Sequence, residues 1–451
     1  MGVVVESEAW EPSSSAFVFI FISCFLSLFL YPHFSRNDSS SSSLDHGSSS
    51  PSLARFRSKF LFIYSLASVM EGLWSVFGEF ELAYYGVSRE EMILSLCAGC
   101  AGALILGSFI GLLSDLIGHK RLCVFFCVLH LFVGVWKRIT IHPSVWVASI
   151  CLSIATSVYS FSFETWMVLD HEKRGFREDT LNDTFWLMTF FESVSLIGSQ
   201  VLANYIIGGD LDKSIVSFST AIKVLAVVAM FVICKGCEEN SQDMSFREYR
   251  MCFRTYIFGD KRILLLVCAQ SCLHFSTAVF WILWAPTLVA DGRELNLGLV
   301  LPCLLGARIL GSTIYPWLVS GPSSFRAEDC VQYAFIVMGL VLFIIAYDYQ
   351  EIEFLVSLFC LFHACDGLLA PFLARLRTMY VPNQLRGGMI SLSLVPANAA
   401  VLFVLLQGGY HRNIGNAAIL MLAALGLFSA AGCMYLLRRS GKQPHQSWHK
   451  L

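Results

Sequence analysis

Residues Gly306-Ala-Arg-Ile-Leu-Gly311-Ser312 put a guanidinium in the middle of a long apolar run, with Ser312 and Tyr315 at i+4 and i+7 on the same helical face. A guanidinium stays charged at any working pH and presents several N–H donors to two oxygens at once. Arg308 with two hydroxyl neighbours therefore suits a tetrahedral oxyanion, and an ion pair with Asp366 is its structural alternative. Four more ionisable residues fall in the middle thirds of apolar runs when depth is counted at about 1.5 Å per residue: Glu71, Glu192, Lys223 and Asp366. Charge at membrane depth is costly unless paired or wet, which makes each of them a candidate for function. Glu192 shares a polar stripe with Thr189, Ser195 and Ser199, and Glu71 shares one with Ser75 and Gly78. Polar stripes at helical spacing inside apolar runs read as cavity walls. Lys223 has apolar neighbours and either joins Arg308 and Glu192 around an anion or snorkels to the surface. The acids Glu71, Glu192 and Asp366 outnumber the two midplane cations, so at least one carboxyl is left over as a candidate proton carrier. Glu164 lies near the end of its run and reads as a brace for a gate, partnered by Arg174 or Lys120.

Positioning such groups takes helices that cross a membrane. Apolar runs of spanning length occur near 60–85, 92–113, 122–137, 144–169, 181–208, 216–234, 262–289, 296–320, 331–347, 352–373, 387–411 and 415–437, with one more at 16–34. With 56% apolar residues and only 14% charged, the chain reads as an all-α polytopic membrane protein. Its loop cations are strongly asymmetric: 23 Lys and Arg fall on one face, against Arg89, Lys137, Arg138, Lys213, Arg293 and Arg412 on the other. The positive-inside rule then makes the cation-rich face cytoplasmic, together with the central loop 236–261 and the tail 438–451. That loop separates 60–235 from 262–437, two stretches of 176 residues with six runs each, the layout of a transporter whose halves rock about a midplane site.

Residues 1–59 stand apart. The run 16–34 comes after Glu6, Glu8 and Glu11 and lacks the basic start of a secretory signal, so it reads as an added anchor helix. The Ser-rich stretch 38–50 behind it reads as a linker. Sixteen Cys scatter without metal or disulfide spacing, Cys97 and Cys100 included, and neither a metal nor a cofactor is expected. No H-E-x-x-H or G-x-S-x-G motif supports an enzyme, and the short basic loops, balanced by acids such as Glu238 and Glu239, do not suggest nucleic acid as a partner.

Two motifs sharpen the reading. Gly111-Leu-Leu-Ser-Asp-Leu-Ile-Gly-His-Lys-Arg121 comes after the second of the twelve runs and resembles the loop between helices two and three of the major facilitator superfamily. The resemblance implies that fold and a gating role for Gly111, Asp115, Gly118, Lys120 and Arg121. Leu116 and His119 stand where that motif carries basic residues, which implies a weaker latch. The second motif runs from Phe163-Glu-Thr-Trp-Met-Val-Leu-Asp to His171-Glu-Lys-Arg-Gly-Phe176, then Leu181 and Thr184-Phe185. It is similar to the end of helix four in the molybdate-anion transporter family of that superfamily. Together they imply a major facilitator fold, two six-helix halves plus one N-terminal hydrophobic helix, that moves molybdate by alternating access, with the plasma membrane as the expected location. A proton-coupled carrier of another small anion or organic solute is the second expectation, and a non-transporting receptor on the same fold the third.

Overall fold

The computed structural model describes residues 10–38, 51–84, 86–139, 145–207, 211–235, 245–290, 293, 295–320, 326–347 and 351–440. Most of the Ser-rich linker, the first part of the central loop at 236–244 and the tail beyond residue 440 lie outside them.

Hydrocarbon offers the backbone no hydrogen-bond partner, so apolar runs of this length satisfy their own amides as helices. Twelve helices among the described residues are long and apolar enough to cross a membrane. They are Pro51–Gly78 (span 1), Arg89–Leu112 (span 2), His119–Lys137 (span 3), Val145–Lys173 (span 4), Thr180–Ile207 (span 5) and Val216–Cys234 (span 6), then Lys261–Leu288 (span 7), Leu297–Val319 (span 8), Ala327–Tyr347 (span 9), Ile352–Tyr380 (span 10), Asn383–Tyr410 (span 11) and Asn416–Ser440 (span 12). A shorter helix, Phe246–Ile257, occupies the second part of the central loop and buries Tyr249, Phe253 and Ile257.

The helices pair in a pattern that repeats. Spans 1 and 5, 2 and 4, 3 and 4, 3 and 6, and 1 and 6 are in contact in the first half. In the second half the contacts are 7 and 11, 8 and 10, 9 and 10, 9 and 12, and 7 and 12, each six spans on. Contacts between the halves obey the same exchange: span 5 meets span 8 while span 2 meets span 11, and span 10 meets span 5 while span 4 meets span 11. A six-helix unit has thus been used twice around one axis, the major facilitator fold.

The added helix, Ser14–Asp38, lies along span 8. Ser27 Oγ donates to the Thr313 carbonyl at 3.0 Å and accepts from Trp317 Nε1 at 3.1 Å, while Ile20 covers Gly306. Its far side leaves Phe19, Phe21 and Phe25 exposed, as a lipid-facing surface requires.

Small residues set the crossings that matter for the site. A Cβ on Gly311 would strike the Ala364 carbonyl, and one on Gly367 the Arg308 carbonyl, so spans 8 and 10 cross backbone against backbone. This crossing carries the Arg308 side chain up to Asp366. In the same way a Cβ on Gly111 would strike Ser391, which brings span 2 against span 11 across the two halves.

Candidate functional site

A cavity of about 760 Å³ occupies the seam between the halves. Spans 1, 4 and 5 wall one side with Glu71, Thr156 and Glu192, and spans 7, 8 and 10 wall the other with His274, Arg308 and Asp366. At mid-height Arg308 joins the two walls. Its Nε donates to Asp366 Oδ2 at 2.9 Å, NH1 lies 3.2 Å from Glu192 Oε1, and NH1 also reaches Ser193 Oγ at 3.4 Å. Tyr64 donates its hydroxyl to Glu192 Oε2 at 3.1 Å and stacks on Tyr159, whose hydroxyl is 2.8 Å from Ser68 Oγ. One guanidinium thus serves two carboxylates, and the group carries a net negative charge when all three are ionised.

Glu71 forms a separate group within the first half. Its Oε1 lies 3.2 Å from Nε2 of the fully buried His130, and its Oε2 accepts from Thr156 Oγ1 at 2.8 Å.

At the cation-rich end the cavity stops at a second charged cluster of opposite balance. Glu164, in the last third of span 4, receives Arg377 of span 10 through Nε, at 2.9 Å, and NH2. Arg386 of span 11 donates to the same carboxylate at 2.6 Å and 3.1 Å, and is further held by Thr378 Oγ1 and the Ala374 carbonyl, both at 2.9 Å. Here one carboxylate serves two guanidiniums and bridges the halves.

Beyond it lies the Asp115 latch. Asp115 Oδ1 accepts the Gly387 amide at 3.1 Å and lies 3.1 Å from His119 Nε2; Oδ2 accepts the Gly388 amide and the Tyr249 hydroxyl, both at 2.9 Å. A carboxylate of the first half therefore caps the first turn of span 11 in the second, where the helix dipole is positive. Burial, and then the adjoining Asp115 charge, push the Tyr249 phenol above its usual range, which keeps it a donor. Gly118, at φ 97°, makes the turn that aims Asp115 inward, and a side chain on Gly388 would meet Tyr249 Oη at 2.5 Å.

Several sequence expectations place differently. Gly298, Leu301, Leu305 and Arg308 form the cavity stripe of span 8, but the cavity tapers out before Ser312. That residue is sealed where span 10 crosses and donates to the Ile309 carbonyl at 2.7 Å, while Tyr315 packs edge-on against Phe372 at 4.7 Å. Neither lines the cavity. Lys223 does not either: its chain lies along Gly134 between spans 6 and 3, because depth in a span says nothing about which face a residue takes. On span 5, Thr189 and Glu192 face the cavity, but Ser199 packs against Gly72 of span 1.

Glu164 pairs with Arg377 and Arg386 in place of Arg174 or Lys120. Arg174 lies ten residues, about 15 Å of helix, beyond it; there it pairs with Asp170 at 3.2 Å and covers the Phe56 ring. Arg377 and Arg386, counted as loop cations, are buried in the seam. Arg121 is exposed and donates to the Ile117 carbonyl at 3.4 Å, outside the Asp115 contacts. Sequence reasoning missed Tyr64, Tyr249, Arg377, Arg386 and the Gly387-Gly388 pair. Two consecutive glycines opening an apolar run were the available signal for the last.

A twelve-helix major facilitator fold enclosing a midplane cavity, with its halves latched at one end, is the architecture of a membrane transporter. Comparison with known proteins agrees. Residues 34–356 match the family described as sugar transporters with 12 transmembrane segments, and the chain belongs to that family. It is 22% identical over 419 residues to a molybdate-anion transporter of Takifugu rubripes, covering 83% of this chain and 87% of the relative. A molybdate-anion transporter of Xenopus laevis is 22% identical over 424 residues, covering 90% and 92%. Among solved structures, a bacterial homologue of the iron transporter ferroportin in an outward-facing state superposes with a TM-score of 0.68 at 14% identity, covering 85% of this chain and 99% of that one. The E. coli fucose:proton symporter superposes at 0.64 with 12% identity, covering 84% and 98%.

Proposed function

We propose that this chain is a secondary-active carrier that moves molybdate across a membrane by alternating access, with its cation-rich face in the cytoplasm and the plasma membrane as its site. The observation that carries the reading is Arg308: a guanidinium at mid-membrane, in the cavity, on the seam between the halves. Two oxygens of a tetrahedral anion match its fork as a carboxylate does. Glu192 and Asp366 hold that fork in the empty carrier and keep the buried charge from standing alone. Protonation of either frees N–H donors for the anion, so proton uptake and anion binding are linked. Glu71, backed by His130, is a third candidate for proton exchange on the same wall. Asp115, with the Gly387-Gly388 turn, and Glu164, with its two arginines, keep the cytoplasmic end shut.

A second reading, a carrier of a larger organic anion, draws on the cavity itself. About 760 Å³ walled in part by Tyr64, Tyr159, Trp281 and Trp284 is the size and lining of a pocket for a drug-sized ligand. Purified protein in liposomes separates the two. Saturable, proton-dependent molybdate uptake is expected, together with restored cellular molybdenum in an uptake-deficient host. Failure of molybdate to enter, with uptake of an organic anion, would replace the first reading with the second.

A further inference from the structure

We infer that Arg377 is a second anion-binding station, and that a divalent oxyanion opens the cytoplasmic gate by taking the place of Glu164 on it. The inference rests on the oxyanion reading above and goes beyond it, because the partners of Arg308 are not among the contacts that close the cytoplasmic end.

The geometry is that of a competition. Arg377 lines the closed end of the cavity and donates both Nε and NH2 to Glu164 in a two-point fork, while its NH1 has no hydrogen bond to a described residue. Arg386 sits behind, fully buried, with Thr378 and the Ala374 carbonyl to hold it whatever Glu164 does. Gln270 lines the same cavity, and its side-chain carbonyl has no partner among the described residues; turning the amide over would present donors in its place. An anion on the way through thus meets a guanidinium whose fork is occupied by a carboxylate of matching bite.

Charge decides which anion wins that competition. With Glu164 in place the three side chains carry one net positive charge, the reverse of the Arg308 cluster. A dianion arriving there matches both guanidiniums and leaves Glu164 in surplus. Glu164 belongs to the first half and both arginines to the second, so expelling it removes two ion pairs that hold the halves together at this end. The anion keeps its site on the second half while the gate opens. A ligand shifts a conformational equilibrium only through differential affinity for the two states, and competition with a gate residue supplies that difference. A neutral solute of the same size has no such effect.

Equilibrium binding of labelled molybdate to the full chain in lipid nanodiscs, with sulfate as competitor, tests this. Spin labels on Lys173→Cys and Met379→Cys, in a background with the exposed Cys234 and Cys268 replaced by Ser, report the gate. Glu164→Gln is expected to bind at least tenfold more tightly than wild type and to show the open distance without anion. Wild type should reach that distance only on adding molybdate or sulfate. Adding Arg377→Gln to Glu164→Gln should remove the gain, and Glu164→Asp, with a shorter reach, should fall between. Unchanged affinity in Glu164→Gln, or a wild-type gate distance that ignores a saturating anion, would overturn the inference while leaving Arg308 as the ligand. Absence of molybdate and sulfate binding in wild type and Glu164→Gln alike would overturn the oxyanion reading itself.

Discussion

Asp115 accepts the backbone amide of Gly388 at 2.9 Å across the seam between the two halves. The contact joins a side chain that a loop motif marks to a main-chain group whose mark in the sequence is a pair of glycines. It also explains why two glycines stand together at the start of span 11: a side chain on Gly387 would run into Ser114, and one on Gly388 would meet Phe253 at 2.8 Å and Asp115 Oδ2 at 3.1 Å.

Asp115→Asn should loosen the latch without touching the midplane. The amide keeps one acceptor oxygen but turns two donors toward a site built of N–H and O–H donors. Each charge-assisted hydrogen bond lost weakens the closed state by about 1.5–3 kcal/mol. Opening of the cytoplasmic end should be at least tenfold easier, while anion affinity at Arg308 changes little. Exchange rate and binding, measured separately in the same preparation, check this. Loss of binding with an unchanged exchange rate would remove Asp115 from the gate.

Gly111→Ala should act on the same equilibrium through packing. The added methyl has no room against Ser391, so spans 2 and 11 must separate. Crowding of this kind costs about 1–3 kcal/mol. Ser391→Gly in the Gly111→Ala background removes the main clash, leaving Phe161 Cε1 at 3.0 Å, and should restore most of the transport rate, with surface expression as the control.

Much of this was legible because hydrocarbon narrows the choices. Apolar length gave the twelve spans and the added helix, and the loop around Asp115 pointed to the fold. Depth likewise singled out Arg308, Glu192 and Asp366, which the structure brings together. What stayed hidden was orientation and distance between halves. Lys223 and Arg308 are equally deep, yet one faces span 3 and the other the cavity. Arg377 and Arg386 read as ordinary cytoplasmic cations because nothing local shows that span 10 continues to Tyr380 or that Glu164 waits more than 200 residues away in sequence.

Lys223→Met supplies the control for depth without orientation. The side chain lies outside the cavity, so uptake should stay within about twofold of wild type, the range of substitutions away from a site or core. The same is expected of Ser312→Ala, whose hydroxyl serves its own helix. A tenfold loss of affinity in a well-expressed Lys223→Met protein would put Lys223 back among the anion ligands.

Arg308 carries the decisive prediction. Arg308→Ala should abolish saturable uptake, and Arg308→Lys should keep the charge, lose the two-point geometry and bind at least tenfold more weakly. Removal of the guanidinium also strands Glu192 and Asp366, and breaking a buried pair by removing one partner costs about 3–5 kcal/mol, so poor expression alone proves nothing. Neutralising the whole group resolves this. Arg308→Ala combined with Glu192→Gln and Asp366→Asn leaves no charge in that cluster, with Glu71 and its His130 partner untouched, and should recover folding and surface expression. Uptake per molecule at the surface then decides. If Arg308 holds the anion, the neutral variant reaches the membrane and transports nothing. If Arg308 only neutralises its two carboxylates, the same variant transports normally, and the binding site must be sought elsewhere along the cavity.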